Sequence, residues 1–389
     1  MKVLFVVFSD VRIYGGFEKV LFMLFNYLKQ NGVDVEFLYL SKKAAIEDKS
    51  KWIEPLKIYK DRIHIETFEY TRFVNLKIAI QSLFGFHNKE GYQITKKFLE
   101  KNPPNFPANS ILITNQPLYI GSLKYAVKKI HKNYKVIGWY HSSLLKKSIG
   151  FKSVREKVHN FVRINQIKYA DAHFAISTGI RDQILKLEPK AKVYTVFNPI
   201  EPYSGPLIKR SKTPIFLYVG RLFEKAKNLS FMFNGLSKVK KDWKLIIVGT
   251  GPDEVKLKNL SDSRGISQKI EWRGFKKNPY ENLDEGVTAL LLTSRYEGFP
   301  MVLIEANQRG IPVISSNCQT GPSDIVIPGV NGYLYPEGDI NAFVKIINDV
   351  IDGKLGFGTP EEIAKTAERF SEYKVCSDIL NDLKEIESY

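Results

Sequence analysis

ALLLTSRYEGFPMVLIEANQRGIPVISS (289–316) decides the fold class. Its first six residues, ALLLTS (289–294), form a short apolar run that reads as a buried strand. Pro300 suits the first turn of a helix, which the spacing extends over 300–309. Gly310 ends it, and PVISS (312–316) is the next strand. Strand, loop, helix, strand is a βαβ unit with parallel strands.

The same rhythm runs outward in both directions. Upstream come strand IFLYVG (215–220), a helix over 227–238, strand KLIIVG (244–249), a helix over 253–261 and strand IEWRGF (270–275). Downstream, the tail from about 340 reads as helical to the end. The first half repeats the design: strand 2–8, Gly15-Gly16, a helix near 17–31 capped by Gly32, and strands VEFLYL (35–40), SILIT (110–114), KVIGWY (135–140), HFAIS (173–177) and VYTVF (193–197). EPYSGPLIKRSKTP (201–214) is polar and Pro-containing and reads as a linker. The expectation is therefore α/β, with two Rossmann-like doubly wound domains, 1–198 and 199–371. A terminal helix, about 372–389, should pack back on the first domain. Two such domains imply a ligand cleft between them, at the carboxyl ends of the strands.

A length of 389 residues fits two domains. Nothing approaches the roughly 18 apolar residues that span a bilayer, and the opening MKVLFVVFSD reads as a strand rather than a leader. A cytoplasmic protein is expected. Cys318 and Cys376 have neither disulfide nor metal spacing. Charge is unevenly distributed. The first 200 residues hold 33 of the 58 Lys and Arg but only 16 of the 41 Asp and Glu, so they carry the whole net charge of +17. Residues 101–168 hold 13 bases and one acid, Glu156. Such asymmetry points one domain at a polyanion: an anionic membrane surface, a phosphorylated lipid or glycan, or nucleic acid. A merely lysine-rich, solvated surface is the plainer reading.

Four groups of residues stand just after strands. Gly15 and Gly16 precede a helix, where a backbone without side chains lets a phosphate approach and free N–H groups meet it; a structural turn is the alternative. Gly220 and Arg221 end a strand, with Lys227 and Asn228 following. Two fixed cations at one cleft suit a diphosphate whose charge grows as its sugar leaves, although strand-end surface charges look the same. Glu297, Gly298, Phe299, Pro300 and, seven residues after Glu297, Glu305 place one carboxylate in the loop and one on the helix. The first can accept sugar hydroxyls, the second ribose hydroxyls. His141 closes strand 135–140 beside two serines. No His/Cys cluster, EF-hand pattern or Asp-x-Asp pair appears, so neither a metal nor another cofactor is expected.

Together these motifs resemble the retaining GT-B glycosyltransferases of family four, over essentially the whole chain and most strongly over 215–335. TSRYEGFPMVLIEANQRGIPVISSNCQTGPSDIVIPGVNGYLY (293–335) and ADAHFAISTGI (170–180) are similar to the lipopolysaccharide 1,6-galactosyltransferase branch. The resemblance implies a metal-independent hexosyltransferase of cell-envelope polysaccharide biosynthesis, with a UDP-sugar donor, galactose foremost, and a glycan or lipid-linked acceptor. Gly16 would touch the donor diphosphate, Arg221 and Lys227 neutralise it, and Glu305 hold the ribose. Glu297 would contact the sugar, helped by the backbone of Gly298, Phe299 and Pro300. His141 would stand near the 6-hydroxyl and the reacting centre. Backbone near Arg273, Gly274 and Phe275 would read the uracil. The first domain would face the acceptor. The basic half would dock peripherally on the inner face of the cell membrane.

The candidate nucleophiles for a two-step retaining route are Glu297 and Glu18, and neither stands clearly where that route needs it. Front-face attack is the favoured expectation. UDP-glucose or UDP-N-acetylglucosamine transfer is the alternative within the family, and a nucleotide-sugar 2-epimerase one beside it. Of another class is a basic nucleic-acid- or membrane-binding scaffold with a degenerate transferase fold; no helix-turn-helix, finger or RNP pattern supports specific nucleic-acid binding.

Overall fold

The structure is a computed structural model, and it describes residues 1–12, 15–41, 46–47, 49–67, 89–101, 106–145 and 154–388. Of the basic residues singled out in the sequence, Lys146, Lys147 and Lys152 lie outside these. The chain divides into two compact units, Met1–Pro199 with Glu372–Tyr389, and Ile200–Ser371.

The first unit is a seven-stranded sheet in the order β3-β2-β1-β4-β5-β6-β7. The strands are β1 (Lys2–Phe8), β2 (Asp34–Ser41), β3 (Ile63–Thr67), β4 (Ile111–Thr114), β5 (Lys135–Tyr140), β6 (Ala172–Ala175) and β7 (Val193–Thr195). All pairings are parallel. Such strands are covered on both faces, which is why β1 is apolar almost throughout instead of alternating. Its exception, Lys2, is 4% exposed and pairs with Glu36 at 2.7 Å and Asp34 at 3.0 Å. Burial alone would raise the Glu36 carboxyl, but hydrogen bonds from His64 and Lys2 hold it down at about 2. Helices α1 (Gly16–Gln30), α2 (Val154–Asn165) and α3 (Thr178–Leu187) belong to this unit. The last helix, Glu372–Glu387, packs on α1, and Tyr194 donates to Glu385 at 2.7 Å.

The second unit is a six-stranded parallel sheet in the order β10-β9-β8-β11-β12-β13. Its strands are β8 (Ile215–Val219), β9 (Lys244–Val248), β10 (Ile270–Trp272), β11 (Ala289–Leu292), β12 (Val313–Asn317) and β13 (Gly332–Pro336). In both sheets the order reverses beside the first strand, between β1 and β4 and between β8 and β11. Ligands of open parallel sheets bind at such reversals.

Several local readings are corrected. The helix expected over 227–238 is a single turn, Glu224–Lys227, followed by α4 (Leu229–Leu236). Asn228 separates them at φ 55°, a left-handed conformation that asparagine tolerates better than most residues. The strand expected over 270–275 ends at Trp272. The helical tail is three helices, because Thr359 and Glu362 start a new one with a reciprocal capping box. Strands β3 and β13 had no counterpart in the sequence reading. Segment 201–214 has no regular structure. It is tied to the second unit where Ile208 donates to the Arg309 carbonyl at 2.8 Å and Gln308 to that of Glu201 at 3.0 Å.

Candidate active site

The second unit's site grows from the ends of β8 and β11. After β8 the chain passes so close to the loop after β9 that only glycine fits there. A Cβ on Gly249 would strike the Gly220 carbonyl oxygen, and one on Gly251 the backbone of Leu222. Leu222 donates to Thr250 at 2.9 Å and Gly220 to Val248 at 3.0 Å. The buried Tyr218 hydroxyl donates to the Arg221 carbonyl at 3.0 Å. This fixes the Arg221 backbone while its side chain stays exposed, 5.7 Å above the Phe223 ring.

The left-handed turn at Asn228 sets the direction of Lys227. Thr293, just past β11, donates to the carbonyls of Lys227 and Asn228 at 3.0 and 3.1 Å. Lys227 Nζ thereby reaches Glu297 Oε1 at 2.7 Å, and the Ser294 hydroxyl donates to the same oxygen at 2.6 Å. The two charged side chains are 25% and 12% exposed. Sequence reasoning assigned Lys227 to a diphosphate and Glu297 to a sugar without bringing them together. It missed Ser294, whose signal was its place three residues before Glu297 at the strand end. Both bonds fall on Oε1, and Lys227 Nζ has two further N–H donors. An acceptor oxygen and a cation therefore stand side by side at the sheet's reversal point.

The loop around Glu297 is held from behind. The Thr320 hydroxyl donates to the Glu297 carbonyl, and Ser316 donates to that of Ser294 at 2.6 Å. Gly321, at φ 95°, packs against Gly298, Phe299 and Pro300 where a Cβ would strike the proline ring. Phe299 is buried edge-on to Phe370 at 5.4 Å. Pro300 is the residue before the helix, not within it: α5 spans Met301–Asn307. Glu305 lies on α5 and is partly exposed. Its proximity adds to the burial that raises the Tyr280 hydroxyl's pKa. Arg309 donates to the Glu305 carbonyl at 2.8 Å and lies against the rings of Tyr203 and Tyr280 at 4.1 and 4.3 Å.

At the end of β10, Arg273 N–H is bonded to Ile247 and the Gly274 carbonyl to Gly249 N–H. The Arg273 side chain is turned to Glu271 at 2.6 Å and the Asn282 carbonyl at 2.9 Å. These groups are occupied within the unit, so any reading of a base here falls to the Gly274 N–H and to Phe275, whose ring is 76% exposed.

In the first unit Gly15 precedes α1 and Gly16 opens it. Glu18 accepts from Gly15 N–H at 3.0 Å and from Ser9 at 2.6 Å, and is 5% exposed. It organises the glycine turn by spanning the end of β1 and the start of α1. With both oxygens engaged, it is not a free nucleophile. His141 follows β5, its ring 4.6 Å from Phe17 and 4.5 Å from Trp139. Burial pushes its imidazole down to about 3, so it is neutral at pH 7. His141 Nε2 and Trp139 Nε1 are both shut from solvent and have no hydrogen-bond partner among the described residues. Buried polar atoms are ordinarily hydrogen-bonded, so each of these ring nitrogens has capacity for a polar partner.

Comparison with known proteins gives the family. Residues 200–374 match the family Glycosyl transferases group 1. The chain is 33% identical to the lipopolysaccharide 1,6-galactosyltransferase of Salmonella typhimurium over 95% of both chains. Among solved structures it superposes on the lipopolysaccharide outer core galactosyltransferase WaaB, apo form, with a TM-score of 0.80 and 29% identity, covering 99% of each chain. It also shares its fold with Anabaena HepE in complex with UDP, at a TM-score of 0.69 and 16% identity, over 99% of this chain and 100% of the other. The chain belongs to the group 1 glycosyltransferases of GT-B fold, alongside the lipopolysaccharide 1,6-galactosyltransferases.

Proposed function

We propose that this glycosyltransferase moves galactose from UDP-galactose, with retention and without a metal, onto a cell-surface glycan or glycolipid precursor. The observation that carries the reading is the cluster at the ends of β8 and β11, with Lys227 at 2.7 Å and Ser294 at 2.6 Å on one oxygen of Glu297. Lys227 and the exposed Arg221 neutralise the donor diphosphate. The open oxygen of Glu297 accepts a sugar hydroxyl, and Glu305 accepts the ribose hydroxyls. In the first unit, Gly15 and Gly16 are the candidates for the diphosphate and His141 for the reacting centre. The likeness to named galactosyltransferases supports galactose as the sugar. The HepE complex supports UDP as the carrier.

Retention follows a front-face route. The bond from the anomeric carbon to the β-phosphate oxygen breaks, the acceptor oxygen bonds to the same face, and its proton passes to the departing phosphate. Glu18 has both oxygens engaged, and in this reading the open oxygen of Glu297 is taken by a sugar hydroxyl, so neither is free to form a glycosyl-enzyme. Catalysis then rests on the two cations, where removing one preorganised charge contact costs about 3 kcal/mol.

Saturation-transfer NMR and slow hydrolysis across UDP-, GDP- and ADP-sugars test the donor. Binding and hydrolysis of UDP-galactose alone is the expected result. Preference for UDP-glucose or UDP-N-acetylglucosamine would remove the galactosyl reading and keep the enzyme class. The basic first half docks on an anionic leaflet, at about 1 kcal/mol per well-placed base. Among the described residues no helix is long and apolar enough to cross a membrane. Flotation with phosphatidylglycerol vesicles at low salt, lost at high salt, is expected, and no flotation at either salt would overturn the docking.

A further inference from the structure

We infer that Gln183 is a positioning residue for His141. Nothing polar among the described residues holds the imidazole, since its ring meets Phe17 and Trp139 and Nε2 has no partner. Its place is therefore a property of the backbone on either side. On one side, strand pairing ends at Tyr140 opposite Ala175. On the other, the chain is clamped three residues on. Gln183, on α3 and 8% exposed, accepts on a single amide oxygen from Leu144 N–H at 2.8 Å, Ser143 Oγ at 3.1 Å and Leu145 N–H at 3.2 Å. From the opposite helix, α2, Arg163 donates to the Leu144 carbonyl at 2.6 Å.

The cost of this clamp argues that it has a use. Arg163 is 9% exposed, and among the described residues its hydrogen bonds go to the neutral oxygens of Leu144 and Asn160. Its Nε has no partner among the described residues, and burial lowers its pKa. A buried guanidinium with no carboxylate partner among the described residues is expensive. Here it grips one peptide from the carbonyl side while Gln183 grips it from the N–H side. Between the strand end and the clamp, His141 has little freedom to move along the chain.

The inference rests on the proposed role of His141 at the reacting centre. Gln183→Leu removes the acceptor at similar volume. Expected is a fall in kcat for transfer on the order of 100-fold, as small misplacements of reacting groups produce, with the KM for UDP-galactose little changed. The donor-holding residues Arg221, Lys227, Glu297 and Glu305 belong to the other unit. Gln183→Glu keeps the acceptor and restores turnover. In a His141→Ala background Gln183→Leu should add less than about twofold, because the two act through one group. Near-normal turnover of Gln183→Leu, or losses that multiply in the double variant, would overturn the inference. Full activity of His141→Ala alone would overturn the role of His141 instead. Should Gln183→Leu not fold, Arg163→Met carries the same cycle from the other half of the clamp.

Discussion

Arg221 and Lys227 are proposed to share one task, yet the structure gives them different surroundings, and this separates catalysis from stability. Lys227→Ala removes the cation 2.7 Å from Glu297 and leaves a carboxylate 12% exposed with Ser294 as its remaining donor. Breaking a fully buried pair from one side costs about 3–5 kcal/mol. Lys227 is a quarter exposed, so solvent reduces this to about 1–2 kcal/mol. For a unit of this size that lowers Tm by roughly 3–6 °C. Arg221→Ala removes an exposed side chain stacked at 5.7 Å on Phe223, and should change Tm by less than about 1 °C. Both variants should lose about 100-fold or more in kcat, since each removes one charge facing the departing diphosphate. The assay pairs UDP release under saturating donor with thermal melts of the same samples. Near-normal turnover of Arg221→Ala would refute the proposed role of the cation pair. Equal Tm losses in both variants would refute the electrostatic distinction between them.

Other consequences follow from the same geometry. Glu305→Ala should lose discrimination between UDP and its 2′-deoxy analogue by about 1–3 kcal/mol, the usual cost of leaving a hydroxyl's partner unmet, while UDP affinity at low salt falls less; competition titrations measure it. Gly249→Ala should destabilise the second unit by about 1–3 kcal/mol through overpacking against the Gly220 carbonyl, read from urea unfolding. Burial holds His141 neutral down to about 3 and His173 down to about 4 in the folded protein, whereas the unfolded chain protonates them near their ordinary 6.5. The unfolded state therefore binds the extra protons, and the histidines' contribution to stability should be whole above pH 6.5 and decline below it, with Glu36 adding to the loss below 4.5 and Asp382, whose carboxyl burial raises to about 7, opposing it by regaining stability as the pH falls. A melt series from pH 8 to 4 checks the sign, and the pH–rate profile should show no His141 titration between 5 and 8.

The legible part of the fold was the part written in local periodicity. ALLLTS and PVISS are short apolar runs flanking a helix, and IFLYVG, KLIIVG and KVIGWY carry the same signature. The motif residues could be placed at strand ends because each follows such a run directly. What local pattern could not carry was adjacency across sequence. Glu297 meets Lys227 at a sequence separation of 70 only because β11 pairs with β8 rather than with β10. The turn at Asn228 was hidden because the flanking residues are compatible with one continuous helix. Strand β13 opens on a glycine, and its partly exposed Tyr333 and Leu334 blur the buried run that marked the other strands. In the sequence Glu18 reads only as a candidate nucleophile; its bond to Ser9, which follows β1, is what ties it up and is not local to its helix. The clamp of Gln183 and Arg163 on Leu144 joins three segments and has no signature in any one of them.

The stereochemistry of the product tests the central proposal most directly. With UDP-galactose, which carries its sugar in the α configuration, and a lipid-free oligosaccharide acceptor, proton NMR of the first product formed reads the new anomeric linkage. An α-galactoside is predicted, formed by the wild type and lost with Arg221→Ala or Lys227→Ala. A β-galactoside would contradict retention and the front-face route.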